Sequence, residues 1–383
     1  MKEADALAAA GFNVEVLGMN TIFHLVEEDH ELLQSSKWKY TAVCGPLDLT
    51  NRVKTFRYRL SRRIANELAA STGFQSTAQL GGWRKDLLEE SLARKTDLTV
   101  AHSAATLWVA RELMKQGRKV AVDFEDWFSR EHEKVFWHPS RVISRLEQEV
   151  LRGACYSTCS SRAMARAIGE AYGKQPEVIY NSFRLGEAPE PADAAGIEGP
   201  RVLWISQVIG PGRGLEFLAK ALHQCPPEFA VTLVGEMQDS FEAKLRSQLP
   251  EGWQKRVQFH GQVKSRDVLG LVGAHHIGLA LEKISPQNRN LTVTNKILQY
   301  LLCGLGVVAT RTSGQEEVAK KAIGAVELVR QEDEKGLATA LTKWARDRSA
   351  LALAREQARY AAKKTFCWEV EGPKLVQITR KSL

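Results

Sequence analysis

The sequence predicts an α/β protein of two doubly wound, Rossmann-like domains with a cleft between them. Three observations support this prediction. The chain has 383 residues, which is more than one hydrophobic core usually supports. Short apolar runs alternate with helical patterns along its length, as they do in parallel α/β units. One segment without periodicity, 184–200, interrupts that alternation near the middle of the chain, which is typical of a linker.

The first half begins in a helix and not in a strand. Its predicted elements are helix 2–11, strand 13–17, strand 40–43, helix 51–66, strand 98–102, helix 104–116, strand 119–124, helix 139–152, strand 154–160, helix 161–172 and strand 177–180. A doubly wound domain normally starts with a strand and a glycine turn. We expect that strand to lie upstream of residue 1, because a sheet without its middle strand would leave backbone groups unpaired.

The second half repeats the alternation. Its predicted elements are strand 201–206, helix 214–224, strand 229–234, helix 238–248, strand 255–260, helix 265–273, strand 276–281, helix 294–303, strand 306–310 and helix 314–322. We therefore expect an N-terminal domain over 1–184, a linker over 185–200 and a second domain over 201–360. Ligands of such sheets bind beyond the carboxyl ends of the strands, so the strand-to-helix turns are the candidate sites.

Composition excludes several classes of protein. No apolar run reaches the ~18–20 residues that span a bilayer, and the N-terminus has no signal-peptide pattern. The cysteines are Cys44, Cys155, Cys159, Cys225, Cys303 and Cys367. They form no disulfide framework, which indicates a reducing, cytoplasmic compartment. The sequence shows no clustered carboxylates, so we predict no metal site and no resident cofactor.

The net charge of +8 is distributed unevenly. Residues 51–66 carry six Arg or Lys residues and no acid, and on a helix Arg52, Arg59 and Arg63 share one face. The segment is either a solvated surface helix or a patch that attracts anionic lipid headgroups or a phosphate-bearing acceptor. The second reading predicts peripheral contact with the inner face of a membrane. No nucleic-acid motif accompanies the charge, so we expect no nucleic-acid partner.

The stretch 204–217, WISQVIGPGRGLEF, places Arg213 between Gly212 and Gly214 at a strand-to-helix turn. The glycines relax the backbone where the next helix presents free N–H groups and the positive end of its dipole. A guanidinium at that position is a suitable receptor for a phosphate or diphosphate. The alternative is a helix start with a solvent-exposed arginine. The glycine spacing differs from the dinucleotide-binding G-x-G-x-x-G pattern.

A second candidate site lies in 278–318. A strand ends at Glu282, and the first turn of the following helix contains Asn295 and Lys296. A lysine at the positive end of a helix needs an anionic partner. Beside Arg213 it would share a diphosphate, and otherwise it is an ordinary surface lysine.

These motifs resemble, in order and spacing, the retaining GT-B glycosyltransferases of the family-four (glycosyl transferases group 1) type. WISQVIGPGRGLEF, GLALE, NKILQYLLCGLGVVAT and SGQEEV are similar to the half that binds the nucleotide-sugar donor in that family. LTVAHS, KVAVDFEDWFS, SSRAMARAIGEAYG and VIYNSF are similar to successive parts of its acceptor-side half. The tail TFCWEVE resembles its C-terminal helix, so the resemblance implies a helix over 361–383 that crosses back to the first domain.

The resemblance implies roles for residues on the donor side. Arg213, flanked by Gly212 and Gly214, corresponds to the basic residue that binds the donor diphosphate. Lys296 lies at the helix start beside it, together with Asn295.

On the acceptor side, the resemblance places His102 at the position of the histidine that faces the donor sugar. Glu125 and Asp126 lie at the strand end where the family often has an acceptor contact. Asn181 matches an asparagine at the hinge.

Two positions depart from the family pattern. The family often has two glutamates eight positions apart, and counting back from Gly304 places them at Leu291 and Gln299. Gln299 can still hydrogen-bond a ribose hydroxyl of the donor, whereas Leu291 cannot replace a carboxylate. We therefore expect Glu282, the nearest acid, to be the substitute catalytic residue.

The resemblance implies a hexosyltransferase that moves a sugar from a nucleoside-diphosphate donor to a polysaccharide, glycolipid or similar carbohydrate or lipid-linked acceptor of the cell envelope, with retention. The nucleotide sugar is then a substrate and not a cofactor. Two alternatives stay open. One is a catalytically silent relative that binds nucleotide sugar or a partner, which the missing glutamates favour. The other is a nucleotide-sugar epimerase built on the same plan.

Overall fold

The computed structural model describes residues 1–19, 33–34, 36–43, 52–132, 135–190 and 199–383. Cys44, residue 51 of the basic segment and 191–198 of the expected linker lie outside the described residues. The chain divides into two compact units. Unit 1 comprises Met1–Ile179, Pro286–Asn288 and Gly372–Leu383, and unit 2 comprises Tyr180–Ser285 and Arg289–Glu371.

Unit 1 contains two parallel sheets, one of two strands in the order β1-β2 and one of four strands in the order β3-β4-β5-β6. Its strands are β1 (Glu15–Gly18), β2 (Lys39–Ala42), β3 (Thr99–His102), β4 (Val120–Phe124), β5 (Ser157–Cys159) and β6 (Glu177–Val178). Its helices are α1 (Lys2–Ala9), α2 (Arg52–Thr72), α3 (Arg84–Ala93), α4 (Ala104–Lys115), α5 (Ser140–Gly153) and α6 (Arg162–Tyr172).

The break between the two sheets of unit 1 falls where a doubly wound sheet has its central strand. A doubly wound sheet commonly has the strand order 3-2-1-4-5-6, so β2 and β1 correspond to one flank and β3 to β6 to the other. Among the described residues no strand lies between β1 and β3. Arg94 Nε, just after α3, lies 3.0 Å from Glu15 Oε2 on β1, so an ion pair joins the segment before β3 to β1.

The four-stranded sheet is buried. All five residues of β4 are buried, as expected of a parallel strand covered on both faces. α5 buries Ile143, Leu146 and Val150 at a helical spacing. The register pairs His102 on β3 with Asp123 on β4, so the carboxyl ends of these two strands bring their polar side chains to one edge of the sheet.

Unit 2 is built on a six-stranded parallel sheet in the order β12-β11-β10-β7-β8-β9. Its strands are β7 (Arg201–Ile209), β8 (Ala230–Met237), β9 (Val257–His260), β10 (Ile277–Ala280), β11 (Gly306–Thr310) and β12 (Val326–Val329). Its helices are α7 (Leu215–Leu222), α8 (Phe241–Ser247), α9 (Val268–Gly273), α10 (Gln287–Leu291), α11 (Asn295–Leu302), α12 (Ser313–Lys321), α13 (Glu334–Arg346), α14 (Arg348–Lys364) and α15 (Trp368–Ser382), of which α10 and α15 extend into unit 1.

The prediction of an α/β protein with doubly wound parallel sheets is confirmed. In unit 2 the sheet starts in the middle at β7 and grows to both sides. The point where the order reverses therefore lies between β7 and β10, and it is the place where such sheets bind ligands.

The single helix predicted over 361–383 is wrong at its start. Residues up to Lys364 complete α14, and α15 begins at Trp368. The helix is interrupted because Phe366 and Cys367 are buried and Cys367 forms a β-bridge with Phe183. Throughout the described ranges, no helix is long and apolar enough to cross a bilayer.

Candidate active site

Arg213 lies in the turn between β7 and α7. Its Nη1 donates a hydrogen bond to Ser206 Oγ at 3.3 Å, which holds the half-buried guanidinium at the carboxyl end of the sheet. Gly212 N–H donates to Glu216 Oε1 at 3.4 Å, so one backbone donor of the turn already has a partner within the chain.

The two glycines around Arg213 are required by the backbone. Gly212 has φ +74° and Gly214 has φ +84°, a region that disfavours residues with a side chain. A Cβ on Gly214 would also lie 2.5 Å from the Leu281 carbonyl oxygen. The turn therefore packs directly against the end of β10, which brings Arg213 close to the chain around Glu282.

Glu282 and Lys296 form an ion pair. Lys296 Nζ lies 2.6 Å from Glu282 Oε1, and the side chains are only 15% and 13% exposed. The same ammonium lies 5.4 Å from the centroid of the Trp204 ring, a cation–π distance. Lys296 therefore has the anionic partner that a lysine at a helix N-terminus needs, and that partner is the predicted catalytic acid.

Several cations act on this one carboxylate. Burial by itself raises the pKa of Glu282, but the charges of Lys296, Arg289 and Arg213 and the hydrogen bond from Lys296 bring it below its ordinary value. Glu282 is therefore ionised at neutral pH. Three cations around one carboxylate leave a positive local charge, which attracts an anionic ligand.

Gln299 lies four residues after Asn295 and three after Lys296, so it is a neighbour of each of them on the surface of α11. Asn295 Oδ1 accepts a hydrogen bond from Asn181 Nδ2 at 3.0 Å. Asn181 and Asn295 both belong to unit 2, so the structure places the predicted acceptor-side Asn181 with the predicted donor residues. Leu291 is buried and serves as a core residue.

In unit 1, four titratable side chains meet at the end of β3. His102 Nδ1 lies 3.4 Å from Asp123 Oδ2 and 3.4 Å from Glu125 Oε1, and its Nε2 lies 3.4 Å from Glu3 Oε2. Asp123 Oδ1 also accepts a hydrogen bond of 2.5 Å from Thr158 Oγ1. Ligand atoms of Glu3, His102 and Asp123 lie within 4.8 Å of one another, so this group could hold a metal ion, which the sequence did not suggest.

The carboxylates control the charge of His102. Burial by itself lowers the pKa of His102, but hydrogen bonds to Asp123 and Glu125 and the charge of Glu3 raise it to about 10. Burial and the charge of Asp123 raise the pKa of Glu3 to about 7. His102 is therefore an imidazolium at neutral pH. It can donate hydrogen bonds and stabilise negative charge, but it is not available as a general base.

Glu125 and Asp126 have different environments. The Glu125 side chain is 60% exposed and reaches His102. Asp126 Oδ1 accepts a hydrogen bond from Asn288 Nδ2 at 2.8 Å, and Asn288 Oδ1 accepts one from Trp127 N–H at 2.7 Å. Asp126 thus helps to fix the loop after β4, whereas Glu125 belongs to the His102 cluster.

Sequence reasoning missed three residues of these sites. Asp123 could have been found by aligning the strand ends LTVAH and KVAVDF, because neighbouring parallel strands end at the same edge. Ser206 ends the predicted strand before the glycine turn and is the partner of Arg213. Glu3 carries no such signal, since its contact with His102 joins segments about a hundred residues apart.

Comparisons with known proteins give a family match for part of the chain. Residues 199–347 match the family model of the glycosyl transferases group 1. No curated protein sequence matches the chain. Residues 199–347 include the Arg213 turn and the Glu282–Lys296 pair, and they lie almost wholly within unit 2.

Solved structures resemble the whole chain. HepE from Anabaena, in complex with UDP and glucose, has a TM-score of 0.72 at 19% identity, with 100% of this chain and 95% of that chain covered. Sucrose-phosphate synthase from Thermosynechococcus elongatus has a TM-score of 0.69 at 16% identity, with 99% and 91% covered. An α,α-trehalose-phosphate synthase (UDP-forming) from Burkholderia xenovorans has a TM-score of 0.63 at 12% identity, with 98% and 94% covered.

The fold is that of the GT-B glycosyltransferases, and together with the family match it identifies the chain as a glycosyltransferase. The match to the glycosyl transferases group 1 covers residues 199–347, less than half of the chain. The resemblance to GT-B glycosyltransferases read from the sequence is thereby confirmed.

Proposed function

We propose that the protein transfers a sugar, with retention, from a nucleoside-diphosphate donor to a carbohydrate or lipid-linked acceptor. The observation that carries this proposal is the position of Arg213. It lies on a glycine turn at the reversal point of the sheet, close to the Glu282–Lys296 pair. A guanidinium, an ammonium and a helix N-terminus together suit a diphosphate.

UDP is the nucleotide that we propose first. HepE was solved with UDP and with UDP-glucose, and the trehalose-phosphate synthase is described as UDP-forming. These proteins are less than a quarter identical to this chain, so they support a candidate nucleotide and leave the sugar and acceptor to experiment.

Each residue of the candidate site has a separate role in the proposed transfer. As the bond to the diphosphate breaks, negative charge grows on the leaving group, and Arg213 with Lys296 stabilises it. Lys296 would exchange part of its bond to Glu282 for the diphosphate, which frees the carboxylate to interact with the sugar. Gln299 bonds a ribose hydroxyl of the donor. Fixed cations of this kind contribute on the order of 3–4 kcal/mol each, judged from single donors removed elsewhere.

The test is thermal stabilisation of the purified protein by UDP, GDP, ADP, CDP and dTDP. A ligand at about a hundred times its Kd adds roughly 2.7 kcal/mol, which raises the Tm by a few degrees. We expect one nucleotide to stabilise the wild type and the Arg266→Ala control, which removes an exposed arginine of unit 2. Arg213→Ala should lose the shift. Equal stabilisation of Arg213→Ala would show that Arg213 does not bind the diphosphate.

A second candidate function is binding of nucleotide sugar without transfer. The buried Leu291 favours it, because a leucine stands where the resemblance implies a carboxylate. Release of UDP from UDP-glucose, followed with a range of sugar and sugar-phosphate acceptors, distinguishes the two. Turnover that Glu282→Gln abolishes supports transfer, whereas tight binding without release in any mixture supports the silent relative.

The location that we propose is the cytoplasm. The five described cysteines are all free thiols, and four of them are buried. Nucleotide sugars as substrates are compatible with that compartment. Labelling of thiols in unbroken and lysed cells would check it.

A further inference from the structure

Helix α2 turns its large apolar side chains toward solvent. Five of them are exposed: Val53, Phe56, Leu60, Ile64 and Leu68. The exposed fraction is 64% for Phe56 and 58% for Ile64. These residues recur every three or four positions, so they form one continuous stripe, which we call the apolar face of α2.

The opposite side of α2 packs against unit 1 through small residues. The buried residues of this helix are Thr55, Ala65 and Ala69, roughly half a turn away from the apolar face. A surface helix of a globular protein normally buries its large apolar residues and exposes its polar ones. In α2 the large apolar residues are exposed as well as the charged ones. Packing against the described residues of unit 1 therefore does not account for the apolar face.

Basic residues border this face. Arg52, Arg59 and Arg63 are exposed and lie along one flank of the apolar face, and Arg57 lies within it. From Arg52 to Thr72 the helix carries six Arg or Lys residues and one acid, Glu67. The basic residues of 51–66 therefore lie beside exposed apolar side chains, and α2 is not a purely polar helix.

Aromatic residues extend the apolar face beyond the end of α2. Phe74 is exposed two residues after the helix, and Phe136 and Trp137 are 69% and 47% exposed. A Cβ on Gly73 would lie 3.2 Å from the Phe136 ring, so the two segments adjoin. Tryptophan beside phenylalanine is typical of surfaces that lie at the boundary between water and lipid.

We infer that α2 and the adjoining aromatic residues dock the protein on an anionic membrane, with the helix lying in the plane of the surface. The apolar face would enter the boundary between headgroups and acyl chains, and the flanking arginines would contact the anionic headgroups. A second copy of this chain fits less well, because an interface made by the same face of two copies would bring two sets of arginines together. This inference does not depend on the proposed sugar transfer.

The experiment is sedimentation of the full chain with vesicles of phosphatidylcholine alone and of equal parts phosphatidylcholine and phosphatidylglycerol. We expect binding to the anionic vesicles only, weakening as salt is raised. The charge variant Arg52→Gln/Arg59→Gln/Arg63→Gln should bind on the order of a hundredfold more weakly at low salt. The apolar variant Phe56→Ser/Leu60→Ser/Ile64→Ser should be released at all salt concentrations.

Matched controls carry equivalent changes on unit 2. Lys255→Gln/Lys264→Gln/Arg266→Gln removes the same charge, and Ile323→Ser/Leu353→Ser/Tyr360→Ser removes exposed apolar side chains. Both should bind as the wild type does. All substituted residues are exposed, and circular dichroism confirms that each variant is folded.

Two outcomes would overturn the inference. Equal binding of the wild type and both α2 variants would show that this face does not contact lipid. A wild-type dimer in sedimentation analysis that the apolar variant dissociates, without a change in vesicle binding, would assign the face to a second copy of the chain.

Discussion

Lys296 Nζ lies 2.6 Å from Glu282 Oε1, and the two side chains form a largely desolvated ion pair. The sequence predicted separate tasks for these residues, binding of the diphosphate for the lysine and a substitute catalytic role for the glutamate. The structure joins them, so a ligand that takes the lysine also changes the environment of the carboxylate. Breaking a buried pair by removing one partner leaves an uncompensated charge, and this makes the pair testable.

Removing the lysine should cost more than removing the carboxylate. Lys296→Met leaves Glu282 buried with only Arg213 and Arg289 to compensate it, and we expect a loss of about 2–3 kcal/mol in the free energy of unfolding. Glu282→Gln keeps a hydrogen-bond acceptor for the ammonium and should cost about 1 kcal/mol. Urea unfolding measures both losses.

The same two variants should differ in their effect on nucleotide binding. Lys296→Met removes a cation and should weaken UDP binding, whereas Glu282→Gln removes a competing anion and should leave binding equal or stronger. Titration calorimetry measures both affinities. Unchanged affinity in Lys296→Met would exclude the lysine from the diphosphate site.

Gly214 should tolerate alanine poorly, and Gly252 provides its control. The two glycines have nearly the same positive φ, +84° and +85°. A Cβ on Gly214 meets Leu281, whereas one on Gly252 meets nothing within 4 Å. Gly252→Ala should therefore cost only backbone strain, about 1–2 kcal/mol. Gly214→Ala should cost about 1–3 kcal/mol more because of the steric clash. Equal losses in urea unfolding would contradict the packing of this turn against β10.

The sequence was sufficient to predict the fold class because turn residues clearly mark the ends of many helices and strands. The glycine turn predicted the start of α7 at 214, one residue before the observed Leu215. The end of β7 was placed at 206, three residues early, because a register shift against β8 between Ile205 and Val208 lets the strand continue to Ile209. Such a shift depends on the neighbouring strand and leaves no periodic pattern.

The sequence signals that located candidate site residues are local. Arg213 was readable because glycines flank it, and Lys296 because it opens a helix. The sequence could not predict the pairing of Lys296 with Glu282. A lysine at a helix N-terminus needs an anionic partner, and either a bound ligand or a carboxylate of the protein can be that partner. The apolar face of α2 was also missed, because the basic residues dominate the pattern and only the structure shows which side of the helix is buried.

Glu147 should be important for the stability of unit 1. It is fully buried on α5 and accepts hydrogen bonds from Ser129 N–H at 2.9 Å, Ser129 Oγ at 2.6 Å and Tyr172 Oη at 2.7 Å. Glu147→Ala would leave these donors without their acceptor, and we expect a loss of about 3 kcal/mol. Tyr172→Phe, which removes one of the three donors, should cost about 1–2 kcal/mol. Chemical denaturation of the two variants gives the comparison, and a smaller loss for Glu147→Ala than for Tyr172→Phe would contradict it.

His102 and His138 should be in opposite charge states at neutral pH. The carboxylates around His102 raise its pKa to about 10, whereas burial and the charge of His132 lower the pKa of His138 to about 4. Nitrogen NMR of the two rings should therefore show an imidazolium at His102 and a neutral ring at His138. Glu3→Gln should lower the pKa of His102, because it removes one negative charge.

The sign of the pH dependence follows from the raised pKa of His102. Its folded pKa lies above the unfolded value of about 6.5, so its contribution to stability is complete below that value and is lost as pH rises through about 10. The side chain is 39% exposed, so solvent screening makes the contribution smaller than the pKa alone implies. Unfolding by urea from neutral to alkaline pH should show a steeper loss in the wild type than in His102→Gln. Parallel curves, or a His102 ring that titrates near its ordinary pKa, would contradict the cluster.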